Sequence, residues 1–229
     1  MENKNLIIIA VAVVIIAVLG VIFATGMLNG DQKVTGPTTP FKTEFMEGTF
    51  TGNVSLENDS EDFMHSYEDK ENKITYNIST VDDSDALMDI YYLQGVMNPE
   101  KRSFNGNDWN IYFTQAVQGN DSNSSDKPMN IIICQSQAEK QGYLIYMIID
   151  AKSKVNATLN TYGESYTDFV EPLLKSITLK ESKNVPKIYE EFGLTEDQFN
   201  EQMDLVKQYK SGNTSALQQQ QEEQVVYEE

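Results

Sequence analysis

NIIICQSQAEKQGYLIYMIID, residues 130–150, decides the fold of this chain. Residues 130–136 and 143–150 are apolar runs rich in β-branched and aromatic side chains, and the AEKQG between them is polar and turn-forming. The two runs therefore read as an antiparallel hairpin. Both are apolar on both faces, the pattern of central strands with helices laid over one side.

Further strands lie upstream. Residues 49–56 and 73–80 (KITYNIST) alternate polar with β-branched or aromatic residues, and 109–116 (WNIYFTQA) follows the turn-rich NGND. Helices interrupt them. Residues 84–94 carry an Asp or Ser cap, acids in the first turn, Leu87, Ile90 and Tyr91 at helical spacing, and Gly95 as the stop. Residues 164–176 place Tyr166, Phe169, Val170, Leu173 and Leu174 on one stripe, with Pro172 forcing a kink or split. SITLK then reads as a short last strand.

Beyond Lys180 the chain becomes polar and helical. Pro186 suits a first turn, Gly193 ends that helix, and Thr195 with Gln198 forms a capping box for a helix to about Tyr209 whose Phe199, Met203 and Val206 share a face. The predicted class is α+β, a mainly antiparallel sheet flanked by helices, over residues 41–180. A helical appendix and a Gln/Glu-rich tail fill 181–229.

The closing stretch YTDFVEPLLKSITL (166–179), with its Leu174-Lys-Ser-Ile177 run, following a long central hairpin, resembles the α/β/α sandwich family of PsbP, Mog1 and DcrB proteins. The resemblance covers about residues 41–180 and implies a binding or assembly role without catalysis. It carries over no functional residue, because no functional motif matches. The anchored, acidic, Asn-rich character is also similar to surface proteins of methanogenic archaea.

LIIIAVAVVIIAVLGVIFATGML, residues 6–28, holds 23 residues without a charge or Pro. At about 1.5 Å per residue it reaches about 34 Å, enough for a hydrocarbon core of roughly 30 Å. It reads as a retained single-pass anchor partnered with the lipid bilayer, longer than a cleavable signal and without a clean cleavage site. Residues 1–5 then form a short cytoplasmic N-terminus, weakly favoured by Lys4, and 29–40 (NGDQKVTGPTTP) an extended linker. The bulk of the chain is expected outside the cytoplasm.

Seven Asn-x-Ser/Thr triplets begin at Asn53, Asn58, Asn77, Asn120, Asn123, Asn156 and Asn213, where 19 Asn and 32 Ser plus Thr in 229 residues give about 2.7 by chance (19 × 32/229). They are candidate glycosylation acceptors. An Asn- and Ser-rich turn composition inflates the same count.

Seventeen Lys plus Arg against 35 Asp plus Glu leave a net charge of −18, which excludes nucleic acid as a partner. One Cys excludes an internal disulfide, and one His leaves little for a catalytic triad. His65 reads as a surface residue, Cys134 as an inert buried thiol. Residues 57–89 hold 11 acids against two Lys, raw material for a hydrolase working with paired carboxylates. The loop at 121–126 matches the first calcium-ligand spacings but has Asp126 where an EF-hand needs Gly and Ile132 where it needs Glu. No cofactor is expected. Tyr91, Tyr92, Trp109 and Tyr112 are candidate aromatics for a small ligand or protein partner.

The expected function is binding or scaffolding by an anchored, exported domain. Two alternatives stand beside it: an accessory subunit of a membrane complex, recognisable by an exposed apolar face on the 195–209 helix, and the exported hydrolase, recognisable by two carboxylates about 5 to 10 Å apart in a deep cleft.

Overall fold

The computed structural model describes residues 37–93, 95–96, 98–116 and 128–212. The cytoplasmic stretch 1–5, the anchor 6–28, most of the linker, Asn120, Asn123, the 121–126 loop, Asn213 and the tail lie outside the described residues. Among those described, no helix is long and apolar enough to cross a membrane.

The predicted hairpin forms: β8 (Met129–Gln137) pairs antiparallel with β9 (Gly142–Ile149), from Asn130↔Ile149 to Gln137↔Gly142. It sits centrally in a seven-stranded antiparallel sheet of order β3-β4-β5-β9-β8-β7-β6. The other members are β3 (Ser55–Glu61), β4 (Met64–Asp69), β5 (Ile74–Val81), β6 (Glu100–Phe104) and β7 (Asn107–Ala116). The β6–β7 turn is Asn105-Gly106, both at positive φ (50° and 81°), a pairing whose twist matches the flanking strands. A second, three-stranded sheet, β1-β2-β10, joins β1 (Thr38–Lys42), β2 (Met46–Thr51) and β10 (Thr178–Leu179).

Two expectations change here. The strand expected at 49–56 is split between β2 and β3 by Gly52, whose φ of 105° breaks the extended run. β1 begins inside the expected linker, and its Pro40 is tolerated because β1 is an edge strand that needs no N–H on its outer side.

Alternation along the central strands sorts the core into two layers. Ile132, Cys134, Tyr143, Ile145 and Met147 face the small sheet and the segment 165–176. There a π-helical turn, Ser165–Val170, runs into an α-helix, α2 (Glu171–Ser176). The wider turn sends the Glu171 N–H to Tyr166 O, so Pro172 falls in the first turn of α2, where its missing N–H costs little. The expected kink is this change of helix type.

Ile131, Ile133, Leu144 and Ile148 face the other way. They are covered by α1 (Ser84–Leu93), α3 (Ile188–Glu191) and α4 (Glu196–Lys210). The capping box of α4 forms as expected, and Phe199, Met203 and Val206 are buried in this layer. Residues 188–210 are therefore part of the domain rather than an appendix. Burying an apolar face of that size is worth roughly 1.5–3 kcal/mol per large side chain, which favours docking over a free helix.

Candidate functional site

The helical layer does not fill its side of the sheet. α1 is set down firmly at its start, where Asp83 Oδ1 accepts the Ala86 N–H at 2.9 Å and Ser84 Oγ donates to Gln137 Oε1 and accepts from Gln135 Nε2, each at 2.8 Å. Gln135 is completely buried and also reaches Asp85 Oδ1 at 2.8 Å and Asn110 Nδ2 at 2.7 Å. Gly142 beneath Ser84 makes the approach possible, since a Cβ there would run into the serine side chain.

Further along α1 a groove of about 250 Å³ remains between the helices and the sheet. Its floor follows the strand register: Asn77 of β5 lies opposite Tyr146 of β9, and Tyr146 opposite Ile133 of β8. The next row runs from Ser79 to Leu144. Leu87 and Tyr91 of α1 and Ile188 and Phe192 around α3 form the walls. Phe63 and Met64 lie at the β4 end.

At the meeting of wall and floor the hydroxyls of Tyr91 and Tyr146 are 3.0 Å apart, their rings edge to face at 6.4 Å. Burial pushes both phenols above their ordinary value, and the hydrogen bond between them raises Tyr146 further while drawing Tyr91 part of the way back. The pair is neutral at any physiological pH. Among the described residues Glu191 is the one carboxylate on the lining.

The four predicted aromatics are not one patch. Trp109 and Tyr112 stand three apart on β7, and an odd spacing on a strand sends side chains to opposite faces. Trp109 is 1% exposed in the layer facing the small sheet, while Tyr112 is buried under α1. Burial, with Asp85 and Asp89 nearby, pushes Tyr112 up to about 12. Tyr92 points away from the groove, edge to face with Tyr209 at 6.4 Å and 5.5 Å from Lys210 Nζ. Only Tyr91 lines the groove.

Of the described glycosylation candidates, Asn53, Asn58 and Asn156 are exposed. Asn77 is not: it is 7% exposed, with its side chain toward the groove. That triplet arises because Asn and Ser occupy alternate positions of one strand face, and the structure places Asn77 on the groove lining. His65 likewise differs from the surface reading, since it packs on Phe45 at 5.8 Å with its Nε2 enclosed and unpartnered. Cys134 is buried among isoleucines, and burial pushes its thiol far above the ordinary value, which leaves it unreactive.

Sequence reasoning missed Asn77, Ser79 and Tyr146 as lining. One signal was available: in YLIYMIID, Tyr146 shares its face with Leu144 and Ile148, and a phenol in an aliphatic row needs a partner for its hydroxyl. Among the described residues, no group of three or more His, Cys, Asp or Glu is placed to hold a metal ion. An open depression beside Asp82, Asp83 and Glu139 also contains Lys140 and Lys187.

No family model and no curated protein matches the chain. The chain is similar to a crystal structure from Bacteroides thetaiotaomicron VPI-5482, with a TM-score of 0.41 and 6% identity over 65% of this chain and 50% of that one. The present chain thus spans half the length of the Bacteroides structure. It is also similar to the solution structure of cyanobacterial PsbP (CyanoP) from Synechocystis sp. PCC 6803, with a TM-score of 0.40 and 9% identity over 68% of this chain and 98% of that one.

Proposed function

We propose that this chain is a binding module without catalytic chemistry, tethered to a membrane by residues 6–28 with its acidic domain outside the cytoplasm, and that the groove beneath α1 is its binding site. The observation that carries the reading is the groove itself. Protein interiors pack to the density of organic crystals, and apolar gaps of this size are few. A gap of about 250 Å³ walled by leucine, isoleucine and phenylalanine is a place for a ligand.

Two features weigh against the rival readings. Among the described residues the groove lining offers a single carboxylate, so this groove does not supply the paired acids of a hydrolase. The apolar face of α4, which a complex subunit would present outward, is spent on the domain's own core. The central hairpin and the 166–179 segment support placing the domain as a distant member of the PsbP, Mog1 and DcrB sandwich family.

Hydrogen–deuterium exchange on the full chain in lipid nanodiscs tests the site. Acetophenone at saturating concentration is expected to slow exchange in β5 and β9 while leaving β1 and β2 unchanged. Uniform exchange with and without it discards the groove as a binding site. Fractionation tests the setting: recovery of the intact chain as a soluble cytosolic species ends the tethered reading.

A further inference from the structure

We infer that the groove takes a neutral, mainly apolar small molecule carrying one hydrogen-bond acceptor, such as a ketone or ester, and that the Tyr91–Tyr146 hydroxyl pair reads that acceptor. The inference rests on the groove being the binding site and adds the class of ligand.

Size comes first. A dry cavity of about 150 Å³ holds benzene, so by proportion about 250 Å³ holds roughly ten non-hydrogen atoms. Charge comes second. Among the described residues no Lys, Arg or His lines the groove. An anion would lose its hydration without gaining a countercharge, a cost of several kcal/mol, and would approach a chain of net charge −18. A cation would find Glu191 but otherwise only amides, hydroxyls and aliphatic carbon.

The hydroxyl pair supplies the third step. Two phenols 3.0 Å apart share one proton between their oxygens, so a single hydrogen bond uses one of the two O–H groups. Among the described residues neither phenol has another hydrogen bond. The unused O–H belongs to a half-buried pair where the apolar wall meets the sheet, and a donor held among apolar side chains with little access to water gains free energy when an acceptor arrives. A ligand carbonyl satisfies it. A hydrocarbon of the same shape does not.

The test uses acetophenone, α-methylstyrene and benzoate, which share size and shape but differ as acceptor, hydrocarbon and anion. Equilibrium dialysis against the full chain in lipid nanodiscs, with empty nanodiscs subtracting lipid-dissolved probe, gives the three affinities. Acetophenone is expected to bind about tenfold more tightly than α-methylstyrene, the worth of one hydrogen bond, and benzoate not to be retained. A single Tyr91→Phe or Tyr146→Phe change leaves one donor and retains part of the preference. The Tyr91→Phe/Tyr146→Phe double variant is expected to bind ketone and alkene equally, a ratio that a merely loosened fold would not produce. Equal binding of the two by the unmodified chain, or benzoate binding best, overturns the ligand class while leaving the groove as a site. Retention of none of the three overturns both this inference and the proposed binding site.

Discussion

Asp82, one residue past β5, holds the segment that leads into α3: its carboxylate accepts the Ile188 N–H at 2.8 Å and meets Lys187 Nζ at 3.1 Å. Its own N–H donates to Pro186 O at 3.0 Å. A residue at the end of an interior strand thus fixes where the segment carrying the last two helices begins, and with it one wall of the groove.

Asp82→Ala removes a charge-assisted hydrogen bond and is expected to cost about 1.5 kcal/mol. The loss should be local. Amide exchange in 188–210 is expected to accelerate while β8 and β9 stay protected, the pattern of a unit that opens separately from the core. Unchanged exchange in α4 would mean that Phe199, Met203 and Val206 hold the helices unaided.

Gly142→Ala tests the approach of α1 to the sheet. The position has ordinary strand geometry, so the cost arises from packing: the new methyl meets Ser84 and also crowds Gln137. Overpacking of this kind costs about 1–3 kcal/mol. The Ser84–Gln135–Gln137 hydrogen bonds should loosen with it, visible as a lower midpoint in chemical unfolding with an unchanged slope. An unchanged midpoint would show that α1 can lift without loss.

The elements that were legible in the sequence are those whose signal is local. The β8–β9 hairpin shows as two apolar runs around a polar turn, α1 as a cap and a stop, and α4 as Thr195 and Gln198 answering one another. β3 was hidden because SLENDSE is an acidic edge strand with register shifts, and residues 55–59 are exposed without alternation. β10 lies where SITLK reads as a short last strand, but its partner does not show in the sequence: it pairs with β2, Thr178 opposite Glu47, across more than half of the chain. The groove was illegible for the same reason, since Tyr91 and Tyr146 meet through the fold.

Glu68 of β4 links acidity to stability. Its Oε2 is enclosed without a hydrogen bond, and Lys70 Nζ is 3.8 Å away. Burial, reinforced by Glu57 and offset in part by Lys70, raises its carboxyl above the usual value. The folded chain then holds that proton to a higher pH than the unfolded chain, so stability falls as pH rises through the window between the two. Glu68→Gln removes the charge, and its melting temperature is expected to exceed that of the unmodified chain at pH 7, with the gain disappearing below about pH 4. A gain that persists at low pH would trace to packing, and a loss at pH 7 would mean the Lys70 pair outweighs the burial.

Asn77 separates the acceptor triplets by geometry. It is paired on both sides, to Ser66 of β4 and Tyr146 of β9, and its side chain leaves the sheet only into the groove. A glycan there would have to occupy the groove, against Tyr91 and Tyr146. Asn53, Asn58 and Asn156 meet no such barrier, because each is exposed. If the domain is exported as proposed, glycopeptide mapping of the chain from its native source is expected to find sugar among those three positions and the Asn77 peptide unmodified. Asn77→Gln should leave electrophoretic mobility unchanged while altering ligand affinity, whereas Asn156→Gln should do the reverse. Sugar on Asn77 in folded chains would show that β5 faces outward at this point, and the groove as described would not exist.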